Sequence, residues 1–388
     1  MNHSIVSQNI LTPARSGSLY YLGIFLTSGS YGPFLYVYYA ELGLTGRQIG
    51  FIATLYPLAM LLFATAISSY ADRKRQRVRI AQLGLVGLAI SVFCLQFPTT
   101  FIGIILVVIP MSIFASPVMS IADSLIARMA RRHNLNYGSM RLWGSIGYAT
   151  GALTFGVVWQ RFGFDPMFLI ASLAFLPVIW ITGKLEETSS SQATKPGSFL
   201  HLFRDTGLVF LLVAIFLAGI SNSLSMTFEG IYVHFLGGGS FLIGMMTAFS
   251  AFAELPTMNY SQRIAQRLRG ANAVILAFLL MAVAYLGYML VKVPTVLPWI
   301  AALKGVGFGL FLPNAVRILN ERAPEEWAST TQSFMTVGMF GLAPLIAGPV
   351  GGWIHDAISP SAVFALGSLT LGLAALVLWF ASIRGDLT

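Results

Sequence analysis

Four ionisable residues stand inside long apolar stretches of the chain: Asp123, Arg141, Glu254 and Lys304. A charge at bilayer depth costs roughly 2.5–3.5 kcal/mol on insertion scales unless it faces protein or water, so each is a candidate for chemistry. Glu254 lies about thirteen residues into its stretch, roughly 20 Å at the α-helical rise, close to mid-membrane. A carboxylate there is much less costly protonated than ionised, which suits a group that carries a proton with a substrate. The structural alternative is a pair with a nearby cation, or with backbone freed at Pro256. Asp123 and Arg141 lie on successive stretches, each roughly 6–10 Å from the same edge. They can pair, which lowers the burial cost and leaves guanidinium donors for a substrate oxygen; alternatively, the pair only staples two helices. Asp123 is also the second candidate for proton coupling. Lys304, about eight residues into its stretch and too deep for easy snorkelling, either binds an anionic group, partners Glu254, or reaches the outer surface. Arg317 reads as structural or as a gate, and Glu229 as interfacial. Among uncharged residues, Tyr31, Trp143, Asn222 and Asn314 are candidates to line a cavity, although aromatic residues also serve as membrane-interface anchors.

The elements that position these residues follow from composition. The chain is 56% hydrophobic and 10% charged, against roughly 25% charged in a soluble domain. A spanning helix needs about 20 mostly apolar residues. Apolar runs between charged or Pro/Gly punctuation number twelve, at 18–40, 48–70, 78–97, 101–128, 137–160, 165–183, 207–230, 240–261, 271–291, 296–319, 328–354 and 361–382. None alternates as a barrel strand would. With the N-terminus placed inside, 18 of the 23 Lys and Arg fall on cytoplasmic segments; only Arg47, Arg161 and Lys292 lie outside, and Arg141 and Lys304 lie within spans. This bias predicts that both termini are cytoplasmic. The polar stretch 184–206, with its run SSSQATKPGS, reads as a cytoplasmic linker between residues 1–183 and 207–388. The basic residues sit in short loops and read as topology signals rather than as a nucleic-acid surface. Cys94 is the only cysteine, which excludes an intrachain disulfide.

The chain repeats at an offset of 194 residues. Ile49-Gly50 matches Ile243-Gly244, and in the loops beyond, Ala71, Arg73 and Arg75 match Ala265, Arg267 and Arg269. Gly144, Gly147 and Trp159 match Gly338, Gly341 and Trp353. Parallel six-helix repeats place a transporter's site between the halves, near the bilayer midplane.

The loop ADRKRQR after the second span resembles the signature Gly-x-x-x-Asp-Arg-x-Gly-Arg-Arg of the major facilitator superfamily, with Asp72 and Arg73 in place, Ser68 where the first Gly is expected and Arg75 where the second is. Its second copy keeps Arg267 but has Gln266 in place of the Asp. The run YGSMRLWGSIGY (137–148) resembles helix 5 of the lactose permease, nucleoside–proton symporter and phenylpropionate permease group. AELP (253–256) and LKGVGFGLFLPNAVR (303–317) resemble helices 8 and 10 of the same group. The resemblance covers nearly the whole chain. It implies an all-α membrane protein of twelve transmembrane helices in the major facilitator fold, two six-helix halves related by a pseudo-two-fold axis. It also implies that Arg141 meets substrate oxygens with Asp123 as its charge partner, and that Asp72, Arg73, Arg75 and Arg267 belong to gating loops. The His/Glu pair of lactose permease helix 10 has no match, which argues against lactose-like specificity.

The expected protein is a secondary transporter, not an enzyme: a proton-coupled importer of a small polar solute such as a sugar, nucleoside or small aromatic acid. It is expected to act as a monomer in the cytoplasmic (inner) membrane, with protons, solute and lipid as partners and with no nucleic acid. A proton-antiport exporter and a non-transporting receptor are the alternatives. There is no Walker loop, the histidines lack metal spacing, and no cofactor or metal is expected.

Overall fold

The computed structural model describes residues 12–187, 204–268, 271–323 and 327–386. The run SSSQATKPGS of the expected linker lies outside the described residues. The described helices fall on the twelve predicted spans: α1 (Pro13–Glu41), α2 (Gly46–Lys74), α3 (Arg77–Cys94), α4 (Phe101–Arg132), α5 (Tyr137–Phe162), α6 (Met167–Thr182), α7 (Thr206–Phe235), α8 (Ser240–Leu268), α9 (Asn272–Leu290), α10 (Leu297–Arg322), α11 (Thr330–Ala357) and α12 (Ala362–Ile383). Among the described residues nine helices are long and apolar enough to cross a bilayer, and α6 is a shorter apolar helix. α1 and α5 have 29 and 26 residues but carry Tyr, Ser and Gly in place of aliphatic side chains, because both run through the middle of the bundle. Tyr20, Tyr21, Thr27 and Ser30 of α1 are fully buried there.

Helix ends are closed by side chains that satisfy orphan backbone donors. Thr45 and Gln48 form a capping box on α2; Asn136 caps α5 and Asp205 caps α7. Glu187 caps α3 from a distance, accepting from the amides of Arg77 and Val78 at 3.0 and 2.9 Å. The start of the stretch read as linker is therefore docked on the first six helices.

Packing follows the repeat. α1 lies on α5 and α6, α3 on α6, and α2 on α4; α7 lies likewise on α11 and α12, α9 on α12, and α8 on α10. The two most extensive contacts between the groups are α5 with α8 and α2 with α11, with α1 touching α7 beside them. Both run along the face that carries the α1–α2 loop, and both are built on glycine. A Cβ on Gly50 would collide with the Gly348 carbonyl, and one on Gly244 with the Ala152 carbonyl. Gly50 and Gly244 are the repeat-matched pair, so the sequence repeat marks the two seams. α2 and α11 each contain a π-helical turn, Met60–Ala64 and Val337–Leu342, and these turns meet where a Cβ on Gly341 would lie 2.7 Å from Leu61. Pro57 and Pro344 adjoin the two turns; each lacks an amide hydrogen, which interrupts the i→i−4 ladder.

Candidate functional site

A cavity of about 400 Å³ lies between the two groups of helices, walled by α1–α5 on one side and by α7 and α8 on the other. Half of its polar side chains are phenols. Tyr31, Tyr36, Tyr56 and Tyr148 all line it, and their hydroxyls have no hydrogen-bond partner among the described residues, although they are not sealed from solvent. Phe25, Met111, Met119, Met226 and Met246 supply apolar and deformable wall. Of the candidates read from sequence, Tyr31 lines this cavity. Tyr36, Tyr56 and Tyr148 are not among those candidates. The signal that marks Tyr56 and Tyr148 is tyrosine well inside a span, where an interfacial anchor has no use; Tyr36, about one turn from the end of its span, carries no such signal.

The carboxylate on the cavity wall belongs to Glu229, together with Ser225. Lys304 of α10 donates to both Glu229 oxygens at 2.6 and 2.8 Å and to Ser225 Oγ at 2.8 Å; Ser225 also donates to Glu229. The Lys304 and Glu229 side chains are only 16% and 17% exposed. This corrects two expectations. Lys304 takes Glu229 as its partner rather than Glu254 or the outer surface, and Glu229 is an interior group rather than an interfacial one. α7 continues to Phe235, past the predicted end at 230, which draws Glu229 about 9 Å into the helix at 1.5 Å per residue. The ammonium balances the carboxylate, so the pair brings hydrogen-bonding capacity to the wall with no net charge.

A second cluster adjoins the cavity towards the α2–α3 loop. The structure brings Asp123 and Arg141 together, with Arg141 Nη1 3.0 Å from Asp123 Oδ1. Tyr21 donates to the same oxygen at 2.6 Å, and the Tyr137 hydroxyl lies 3.0 Å from that of Tyr21. The guanidinium sits over the rings of Tyr21 and Phe25, at 5.2 and 5.8 Å from their centroids. Phe25 also lines the cavity, so one ring links the two clusters. The Arg141 side chain is 43% exposed, leaving donors free for a solute.

The remaining candidates lie apart. Glu254 is half-buried midway along α8 and has no hydrogen bond or ion pair among the described residues; its backbone abuts Gly309 of α10. Asn314 is buried and donates to the Leu310 carbonyl at 2.7 Å within its own helix. Trp143 is exposed, and Asn222 is half-buried one turn before Ser225; neither lines the cavity. In the α2–α3 loop, Asp72 pairs with Arg77, which is buried and also donates to Ser124 at 2.6 Å, tying α2 to α4. Arg73, Arg75 and Arg267 are exposed and form no ion pair among the described residues. Arg75 takes a left-handed conformation, φ 53°, the backbone that explains why a glycine is expected at this place in the signature. No group of three or more His, Cys, Asp or Glu able to hold a metal occurs among the described residues.

Comparisons with known proteins agree on the class. The maltose permease of Geobacillus stearothermophilus is 27% identical over 366 residues, covering 93% of this chain and 92% of that protein. The probable 3-phenylpropionic acid transporter of Escherichia coli (strain K12) is 24% identical over 344 residues, covering 86% and 89%. The crystal structure of the nucleoside transporter NupG superposes with a TM-score of 0.81 at 14% identity, covering 97% of this chain and 100% of that one. The profile of the MFS_1 like family matches residues 16–366. The chain therefore belongs to the MFS_1 like family: it is a multi-pass membrane protein and a secondary transporter of the major facilitator superfamily, not an enzyme.

Proposed function

We propose that the chain is a proton-coupled symporter that imports a neutral, polyhydroxylated solute of up to about disaccharide size across the cytoplasmic membrane. The observation that carries this reading is the cavity: four tyrosine hydroxyls with no hydrogen-bond partner among the described residues, aromatic and methionine walls, and a carboxylate already neutralised by Lys304. An anionic solute needs an uncommitted cation and a cationic one an uncommitted carboxylate; this wall offers neither. Phenols that donate and accept, set beside aromatic faces, suit hydroxyl-rich rings, and Arg141 adds donors at one end. The similarity to a maltose permease across almost the whole chain supports the same class.

Orientation follows from Lys and Arg. The α2–α3 loop face is cytoplasmic, the α1–α2 face is external, and the two six-helix halves, 1–183 and 207–388, rock about the cavity as a monomer. Glycine seams close the external face in this form, so it opens inward. Inward proton movement supplies about 2.3 kcal/mol per 100 mV, and Glu254, a half-buried carboxylate with no hydrogen bond or ion pair among the described residues, is the coupling group.

Reconstituted protein loaded with unlabelled solute should exchange it for labelled maltose or a similar disaccharide, with no comparable counterflow of 3-phenylpropionate. Exchange of the acid alone would overturn the neutral-solute reading. In right-side-out vesicles, accumulation driven by an acid exterior is expected; extrusion would make the protein an exporter.

A further inference from the structure

On the α1–α2 face two side chains reach across the seams and cap helices of the opposite group. Asp356, in the last turn of α11, accepts from the Gly46 amide at 2.7 Å through Oδ1 and from the Arg47 amide at 2.9 Å through Oδ2. These are the first two residues of α2, whose amides the helix cannot satisfy itself. The carboxylate also sits at the positive end of that helix dipole. His355 Nδ1 lies 3.0 Å from Asp356 Oδ1, and its ring stacks on Phe228 at 5.8 Å, which fixes the turn that carries the carboxylate. At the other seam Gln160, near the end of α5, accepts from the Phe241 amide at 3.3 Å, the second residue of α8.

Each cap sits on a glycine. A Cβ on Gly46 would lie 2.6 Å from Asp356 Oδ1 and from His355 Nδ1, and one on Gly239 would collide with Gln160 Oε1. Positions 46 and 239 are one repeat apart to within a residue, so the two devices are symmetry mates. They are unequal: one is an anion accepting two short bonds, the other a neutral amide accepting one longer bond.

We propose that Asp356 is a gating residue. Its carboxylate latches the N-terminus of α2 to the end of α11 and holds the α1–α2 face shut, with Gln160 as the weaker latch of the second seam. Opening that face requires both caps to exchange their helix amides for water. The strength of the Asp356 latch therefore sets how often the empty carrier opens there. The inference rests on the reading of the chain as an alternating-access carrier.

The test uses full-length Cys94→Ala protein with spin labels at Phe97→Cys and Leu290→Cys, exposed positions on the same face and away from both caps. Distances are measured by double electron–electron resonance without solute. Removing an N-terminal cap shifts an equilibrium by roughly two- to thirty-fold. Asp356→Ala should therefore enrich a longer distance by about that factor, with Asp356→Asn, which keeps one acceptor, in between. Gln160→Ala should produce a smaller shift, and Gly46→Ala, which displaces the cap without altering it, a shift in the same direction as Asp356→Ala. If Asp356→Ala does not fold, Asp356→Asn and Gly46→Ala carry the test. Unchanged distances in the folded Asp356 and Gly46 variants, or a larger shift from Gln160→Ala than from Asp356→Ala, overturn the latch. Solute counterflow by the wild type is measured separately. If it succeeds while the distances stay fixed, the latch fails and the carrier reading stands; if it fails while the distances shift as expected, the latch stands and the solute assignment falls.

Discussion

At the scale of single residues, the internal ion pairs constrain the bundle most. Breaking a buried pair by removing one partner strands the other charge, at a cost of about 3–5 kcal/mol. For Lys304 and Glu229 the low end is expected, about 3 kcal/mol, because the carboxylate still touches the cavity. Lys304→Ala should therefore lower the thermal unfolding midpoint in detergent more than the double change Lys304→Ala with Glu229→Gln. Additive losses would mean that the pair contributes no coupling energy. The same cycle applies to Asp123 and Arg141, with a smaller coupling because both side chains are more exposed. Arg141→Lys keeps the charge but loses the planar fork and should raise the solute concentration needed for half-maximal counterflow. Normal counterflow by this variant would remove Arg141 from recognition. The sequence shows that each of these charges must be paired, because charge is conspicuous in apolar surroundings. It does not show with whom: depth counts from span ends, and the apolar run that ends at 230 leaves Glu229 next to such an end.

At the scale of elements, the apolar runs make all twelve helices legible, since the bilayer demands a length and a composition that few other environments demand. Their ends are less so. α8 runs on to Leu268 as a polar extension, and α2 ends not at a glycine but at Arg75 in left-handed backbone. A residue with a Cβ pays about 1–2 kcal/mol for that conformation, and Arg75 is exposed with no ion pair among the described residues. Arg75→Gly should therefore stabilise the protein by up to about 1 kcal/mol, part of the gain being offset by glycine's greater freedom when unfolded. Equilibrium unfolding in mixed micelles would measure it, and a loss of stability would show that the Arg75 side chain supports the loop. The π-helical turns of α2 and α11 are legible only in part: Pro57 and Pro344 mark where each ladder is interrupted, but that the two turns meet depends on both helices together. The tyrosine cavity escaped for the same reason, as its walls come from seven helices.

At the scale of the whole molecule, the repeat at 194 residues has a physical meaning: it places Gly50 and Gly244 at equivalent seams, where backbone meets backbone and either seam can part without unpicking interlocked side chains. A carrier built this way moves solute uphill only if a proton is bound and released in step with the opening of alternate faces. On the proposed reading Glu254 performs that step, since it is a half-buried carboxylate midway along α8 that forms no hydrogen bond or ion pair among the described residues. Glu254→Gln fixes the neutral form. Exchange of labelled for unlabelled solute needs no deprotonation and should persist in this variant. Accumulation driven by an acid exterior needs deprotonation on the inner side in every cycle and should fall to equilibration. The wild type should accumulate more as the exterior is made more acidic, and the variant should lose that dependence. Retained uphill accumulation would move the coupling role to Asp123, whose pair with Arg141 would then have to open during the cycle. Loss of exchange along with accumulation, in a folded variant, would make Glu254 a ligand or a gate instead, because a residue that only carries the proton leaves exchange untouched.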